Sequence, residues 1–163
     1  MRIKRLLNNE NFSNIKNANE ELINGSFNKG YRGWRISNPD TIEISSENGV
    51  NFLSIQNYSS AGVIDQIITG LEPNVRYRLT GTARLSTKQI PQRALSAYFG
   101  LQNRTFGPES FAVNSFNFTV GSVELNTDEE GLLRVYMLKD QFVGLPEEAT
   151  ADFTGFILER ASI

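Results

Sequence analysis

The chain has 163 residues, 39% of them hydrophobic, and a formal net charge of −2. That length suits one domain with a full hydrophobic core, and the near-neutral charge gives no reason to expect nucleic acid or an acidic membrane as partner. The chain has no cysteine and no histidine, which excludes disulfides, thiolate or His-ligated metal sites and the Ser-His-Asp triad.

Asp/Glu pairs remain as a route to glycoside hydrolysis, but without histidine the reading moves from enzyme towards binding or structural module. No apolar run approaches the length of a bilayer span, so no membrane insertion is expected.

The first twenty residues, MRIKRLLNNENFSNIKNANE, are Asn-rich and weakly basic. Arg2, Lys4 and Arg5 resemble a charged leader start, but Ile3, Leu6 and Leu7 are followed by Asn8 and Asn9, so no hydrophobic region develops. Residues 1–20 read as an N-terminal arm or short helix, and residues 21–163 as one domain. The arm is a candidate contact with a larger assembly or with further copies of the chain.

From about Leu22 onward the apolar period becomes two. Alternating runs follow at TIEIS (41–45), NFLSIQ (51–56), VRYRLTGTARL (75–85), RALSAYFGLQ (93–102), NSFNFTV (114–120), LLRVYML (132–138) and DFTGFILERA (152–161). Turn residues separate them: Asn38-Pro-Asp40, Glu47-Asn-Gly49, Gly70 to Asn74, Gly107-Pro108, Asp128 to Gly131 and Gly144-Leu-Pro146. Short strands at this spacing, with no long amphipathic helix, predict an all-β chain folded as an antiparallel β-sandwich or jelly roll.

Alternation also sorts side chains into faces. Leu95, Ala97, Phe99 and Leu101 share one face of their strand, as do Leu133, Val135 and Met137, and Val75, Tyr77, Leu79, Ala83 and Leu85; these are the predicted core. Tyr98 with Ser96 and Gln102, and Tyr136 with Arg134, then fall on non-core faces. A Tyr ring is a flat apolar surface with a polar rim, and sugar rings have apolar C–H faces edged by hydroxyls. Tyr98 and Tyr136 beside Arg134 and Gln102 are therefore candidate carbohydrate ligands. The plainer reading is that strands favour Tyr for its propensity alone.

Two acidic and basic groupings have plain readings. Glu124, Asp128, Glu129 and Glu130 surround a predicted turn and read as a solvated hairpin tip. Arg76, Arg78 and Arg84 lie along one strand face and read as cross-strand ion pairs.

The chain resembles the carbohydrate-binding modules of the CBM4/9/22-like group, in the galactose-binding-like jelly-roll fold. The resemblance covers roughly residues 21–161 and lies in three places. Leu22-Ile-Asn-Gly-Ser-Phe-Asn28 with Gly33-Trp34 is similar to the group's opening motif. Val63-Ile-Asp-Gln-Ile-Ile-Thr-Gly-Leu-Glu-Pro-Asn-Val-Arg-Tyr-Arg-Leu-Thr80 is similar to its strand, "GLxPxxxYxL" and strand. Leu133-Arg-Val-Tyr136 and Asp152-Phe-Thr-Gly-Phe-Ile-Leu158 match its closing strands in place.

The resemblance implies a non-catalytic domain that binds a polysaccharide or cell-surface glycan. It implies that Trp34, the only Trp, caps the core rather than stacks a sugar. It adds Tyr58 as a candidate aromatic platform and Gln66 as a match to a recurrent Gln. It also raises a structural calcium, for which Asn28 and Asp152 are the available ligands, although the positions of the usual acidic pair hold Thr154 and Gly155. No other cofactor is implied. A chain with its own Met1 and no leader suggests synthesis in the cytoplasm, followed by association with a phage or prophage virion, or else a module excised from a secreted protein. The alternative function is thus a structural or adhesion jelly roll acting through protein contacts.

Overall fold

Residues 76–85 show why the chain folds as it does: from Tyr77 to Leu85 every second residue is buried, and the residues between are more exposed. That pattern suits a strand with one face on a core and one facing out. The computed structural model describes residues 22–56, 64–85, 96–140 and 150–162. The arm at residues 1–20 lies outside the described residues.

The strands in chain order are β1 (Arg35–Ile36), β2 (Ile42–Glu47), β3 (Val50–Ile55), β4 (Ile64–Ile68), β5 (Arg76–Leu85), β6 (Ala97–Gln102), β7 (Glu109–Val113), β8 (Thr119–Asn126), β9 (Leu133–Lys139) and β10 (Ala151–Arg160). A 3-10 turn, Pro39–Thr41, precedes β2. The strands form two five-stranded antiparallel sheets, in the order β1-β4-β9-β6-β7 and β2-β3-β10-β5-β8. The chain crosses from one sheet to the other after β1, β3, β4, β5, β7, β8 and β9. This is the expected jelly-roll β-sandwich. Among the described residues no helix is long and apolar enough to cross a membrane.

The core lies between the sheets. The first sheet contributes Ile64, Ala97, Phe99, Leu101, Leu133, Val135 and Met137; the second contributes Leu53, Ile55, Leu79, Ala83, Leu85, Phe153, Phe156 and Leu158. Burial of each large side chain stabilises the fold by roughly 1.5–3 kcal/mol. Every member of the predicted core that is described belongs to this cluster, with Val75 packed at its edge.

Trp34 is part of it. Its ring lies 5.5 Å from Phe27 and 6.1 Å from Phe156, and its indole N–H donates to the Asn24 carbonyl at 3.0 Å. The opening turn needs Gly25: a Cβ there would fall 2.0 Å from the Phe156 carbonyl oxygen. The Phe156 N–H in turn donates to the Gly25 carbonyl at 3.0 Å. The opening motif is thus fastened onto the closing strand.

One expected strand is displaced. Residues 114–118 are not a strand; β7 ends at Val113 and β8 begins at Thr119. The segment carries the chain from one sheet to the other, and Phe118 turns outward onto Phe52, ring centres 5.7 Å apart. Alternation did not reveal the crossover, and Phe116 and Val120 of this run are exposed.

The arginines of β5 pair as expected. Arg76 and Arg78 both bond Glu124, and Arg84 bonds Asp152 and Glu47. Asp128, expected at a solvated tip, is buried and organises its turn instead, accepting the Glu130 and Leu132 N–H groups at 3.0 and 2.9 Å.

Candidate functional site

Register sets the outer face of the first sheet. One row of side chains runs Arg35, Asp65, Tyr136, Gly100, Ser110 across all five strands. The row to one side is Ile67, Arg134, Gln102, and the row to the other is Leu138, Tyr98, Ala112. Tyr98, Gln102, Arg134 and Tyr136 therefore share one face of two adjacent strands.

Asp65 is the hub of this face. Arg35 clamps it from β1, with Nε donating to Oδ1 at 2.6 Å and Nη2 to Oδ2 at 2.8 Å. Arg134 approaches from β9 and donates through Nε to Oδ2 at 2.6 Å and through Nη1 to Gln102 Oε1 at 2.9 Å. Burial by itself would raise the Asp65 pKa, but the hydrogen bonds from Arg35 and Arg134 and their charges outweigh it and hold the pKa below its usual value. The carboxylate is a fixed anion between two fixed cations.

Tyr136 lies on the expected face, yet it is not an open platform. It is only 6% exposed. Its ring lies over Gly100, where a Cβ would sit 2.6 Å from Tyr136 Oη, and the Arg134 guanidinium lies 5.4 Å from the ring centre. Glycine opposite an aromatic lets the ring lie down on the strand, and a cation over the ring holds it there. Burial raises the Tyr136 pKa, against the Ser110 hydrogen bond and the Arg134 charge.

Tyr98 is half-buried, and its hydroxyl donates to Asp140 Oδ2 at 3.0 Å. Burial first, then that bond, raise its pKa, so the phenol stays a proton donor at neutral pH. Part of its ring faces outward two rows from Arg134.

The open space on this face is a cleft of about 510 Å³ lined by Arg35, Ile36, Ser37, Asp65 and Arg134. Its size is that of a small-ligand site. Ile67, 45% exposed, stands beside Arg134 and adds an apolar edge.

Gln66 falls on the opposite side of β4. It is buried, and its amide is fully engaged with the Ile23 backbone: Ile23 N–H donates to Oε1 at 2.8 Å, and Nε2 donates to the Ile23 carbonyl at 3.0 Å. It ties the chain start to the sheet from the core side, and it does not join the other candidates. Tyr58 lies outside the described residues.

Both candidate calcium ligands are engaged by protein partners. Asn28 accepts a hydrogen bond from Asn51 Nδ2 at 2.9 Å at the opening turn. Asp152 sits further along the second sheet, its Oδ1 accepting from Ser54 at 2.6 Å and Thr150 at 2.9 Å, its Oδ2 from Arg84 at 2.8 Å. A guanidinium already neutralises the one carboxylate, whereas calcium takes six to eight oxygens. Among the described residues no group of three or more acidic side chains could hold a metal ion.

Arg35 and Asp65 went unnoticed in the sequence although they complete the site. The signal for Asp65 was present: a carboxylate inside the apolar run Val63-Ile-Asp-Gln-Ile-Ile68 must find a buried partner. Nothing local identifies that partner, because Arg35 lies thirty residues earlier.

The family model described as a carbohydrate binding domain matches residues 5–140. No curated protein matches the sequence. Among solved structures, a carbohydrate-binding module in complex with β-1,4-galactotriose is 14% identical, with a TM-score of 0.60 over 90% of this chain and 100% of that one. The xylan-binding domain CBM22-1 of Paenibacillus barcinonensis Xyn10C is 13% identical, with a TM-score of 0.57 over 85% of this chain and 93% of that one. The enzymatically active domain of bacteriophage CBA120 tailspike protein 4 is 13% identical, with a TM-score of 0.60 over 86% of this chain but 21% of that one. At such identities the likeness is one of fold.

Proposed function

The chain belongs to the carbohydrate binding domain family, and we propose that it is a non-catalytic module that holds a glycan on the outer face of the first sheet. The observation that carries this reading is the cleft beside Asp65, where fixed polar groups converge on one open space. Guanidinium N–H groups of Arg35 and Arg134 donate to sugar hydroxyls, and the Asp65 and Gln102 oxygens orient them. Ile67 and the outward part of Tyr98 supply apolar contact for ring C–H faces. Tyr136 acts as the floor that keeps Arg134 in place. Glycoside hydrolysis needs two carboxyl groups in complementary protonation states. The cleft has one described carboxylate, and it is locked as an anion, which supports binding without turnover.

A panel of polysaccharides, including xylan and β-1,4-galactan fragments, tests the proposal. The intact protein should bind at least one glycan saturably, and Tyr98→Ala/Gln102→Ala should weaken that binding while remaining folded. Glycan turnover by the pure protein, or undiminished binding by the variant, would contradict it.

The tailspike likeness favours one second reading. The chain would then serve as a jelly roll of a virion, docking through residues 1–20 to its assembly or to further copies. Oligomerisation that disappears on deletion of that arm, in a protein that binds no glycan, would favour it.

A further inference from the structure

We propose that the Arg35–Arg134 cleft selects acidic polysaccharide and takes the carboxylate of a uronic acid unit; this inference rests on the glycan-binding reading above. Two guanidiniums share one described carboxylate there, so the cleft carries one surplus positive charge. Hydroxyls of a neutral sugar can accept from these N–H groups but leave the surplus charge uncompensated, whereas a second carboxylate would neutralise it.

The geometry leaves room for that second anion. A guanidinium has two forked edges, Nε with Nη2 along its side and Nη1 with Nη2 at its end. Arg35 spends its side edge on Asp65. Among the described residues its end edge meets no acceptor at Nη1, and its side chain is 67% exposed. Arg134 instead uses Nε on Asp65 and Nη1 on Gln102, and its Nη2 has no described acceptor. A carboxylate in the cleft would meet both remaining ends in the planar, charge-assisted arrangement that Arg favours. Asp65 acts as the spacer that holds the two cations at fixed orientation, so that little ordering is needed on binding.

The other arginine clusters lack this combination. Arg76 and Arg78 also flank one carboxylate, Glu124, but they lie along the strand surface of the second sheet, and Arg76 Nη1 is bonded to Asn126. Arg84 stands between two carboxylates and beneath two aromatic rings, 5.1 Å from Phe52 and 4.2 Å from Phe118. Neither lines the cleft. At the far end of the site face, Asp140 is occupied by the Tyr98 hydroxyl and the Ser96 N–H.

The experiment uses the full chain and paired probes. Polygalacturonate, alginate, hyaluronan and glucuronoxylan are each compared with their carboxyl-reduced forms by titration calorimetry, beside neutral xylan and galactan and a sulfated dextran. The expected result is binding to at least one acidic glycan, weakened about tenfold or more by carboxyl reduction, by Arg35→Gln and by raised salt. Arg35→Lys, which keeps the charge and loses the fork, should fall between wild type and Arg35→Gln. Arg76→Gln should bind as wild type does. Equal binding of native and carboxyl-reduced forms, or of neutral glycans only, overturns the acidic preference and leaves the glycan-binding reading standing. Preference for the sulfated polymer alone overturns the carboxylate assignment. No binding to any polysaccharide by the folded protein overturns both.

Discussion

The two outer faces of the sandwich use the same residue types to opposite ends. On the second sheet, Arg76, Arg78 and Arg84 meet Glu124, Asp152 and Glu47, so charges match one for one, and Arg84 is further covered by Phe52 and Phe118. On the first sheet Arg35 and Arg134 share Asp65 beside an open cleft. A closed network of this kind serves the fold. A network with a surplus cation and space beside it can serve a ligand. Composition cannot tell the two apart; burial, stoichiometry and adjacent volume can.

Variants should separate the faces, and the largest effect is expected on the closed one. Asp152→Ala would strip three donors of their shared acceptor and leave Arg84 largely buried with only Glu47. The expected cost is roughly 3 kcal/mol of stability, near the low end for a broken buried pair, with glycan affinity unchanged in the folded fraction. Thermal or urea unfolding of the variant measures it. A change in affinity larger than the change in stability would dissolve the distinction between the faces.

Arg134→Ala should act on both counts. It leaves Asp65 with Arg35 alone, frees Gln102 and uncovers Tyr136, for an expected loss of about 1–2 kcal/mol and abolished glycan binding. Unfolding and glycan titration on one sample read the two effects together. Retained binding would place the ligand elsewhere.

A smaller effect separates the faces by pH. The Asp65 pKa is depressed in the folded protein relative to its unfolded value, so its ion pairs stabilise the fold fully above the ordinary carboxylate range of about 4. That contribution is lost as pH falls through the lower, folded value. Asp65→Asn should therefore flatten the acid limb of the stability curve. Identical acid limbs for wild type and Asp65→Asn would show that the two arginines do not hold the carboxylate as described.

The smallest expected effect is a contrast. Arg35 and Arg76 are both well exposed, and ion pairs of exposed arginines add little to stability. Arg35→Gln and Arg76→Gln should melt within a few degrees of wild type, yet only Arg35→Gln should alter glycan affinity. Matched losses of affinity would make the surplus charge a property of the whole surface rather than of the cleft.

The sequence revealed the faces better than the site. Strict alternation along β6 and β9 was enough to place Tyr98, Gln102, Arg134 and Tyr136 together, because side-chain direction in a strand depends only on parity. It was also enough to assign the β5 apolar residues to the core, whereas Trp34 was placed there by the family resemblance. Which strand lies beside which depends on register between distant segments, which alternation within a strand does not encode. Tyr136 was expected to stand outward; Gly100 on the neighbouring strand lets it lie down beneath Arg134. Gln66 was expected among the ligands; its parity with Ile64 and Ile68 turns it inward to Ile23. Arg35 was invisible, since a two-residue edge strand after Trp34 leaves no periodic trace.

The most direct test of the account is to map glycan contact residue by residue. The isotope-labelled intact protein would be titrated with the best-binding glycan of the panel while backbone amide shifts are followed. A ligand on the first sheet would give saturable shifts concentrated on Arg35–Ser37, β4, β6 and β9, with β5 and β8 quiet. Shifts centred on β5, β8 and β10 would put the ligand on the closed face and contradict that placement.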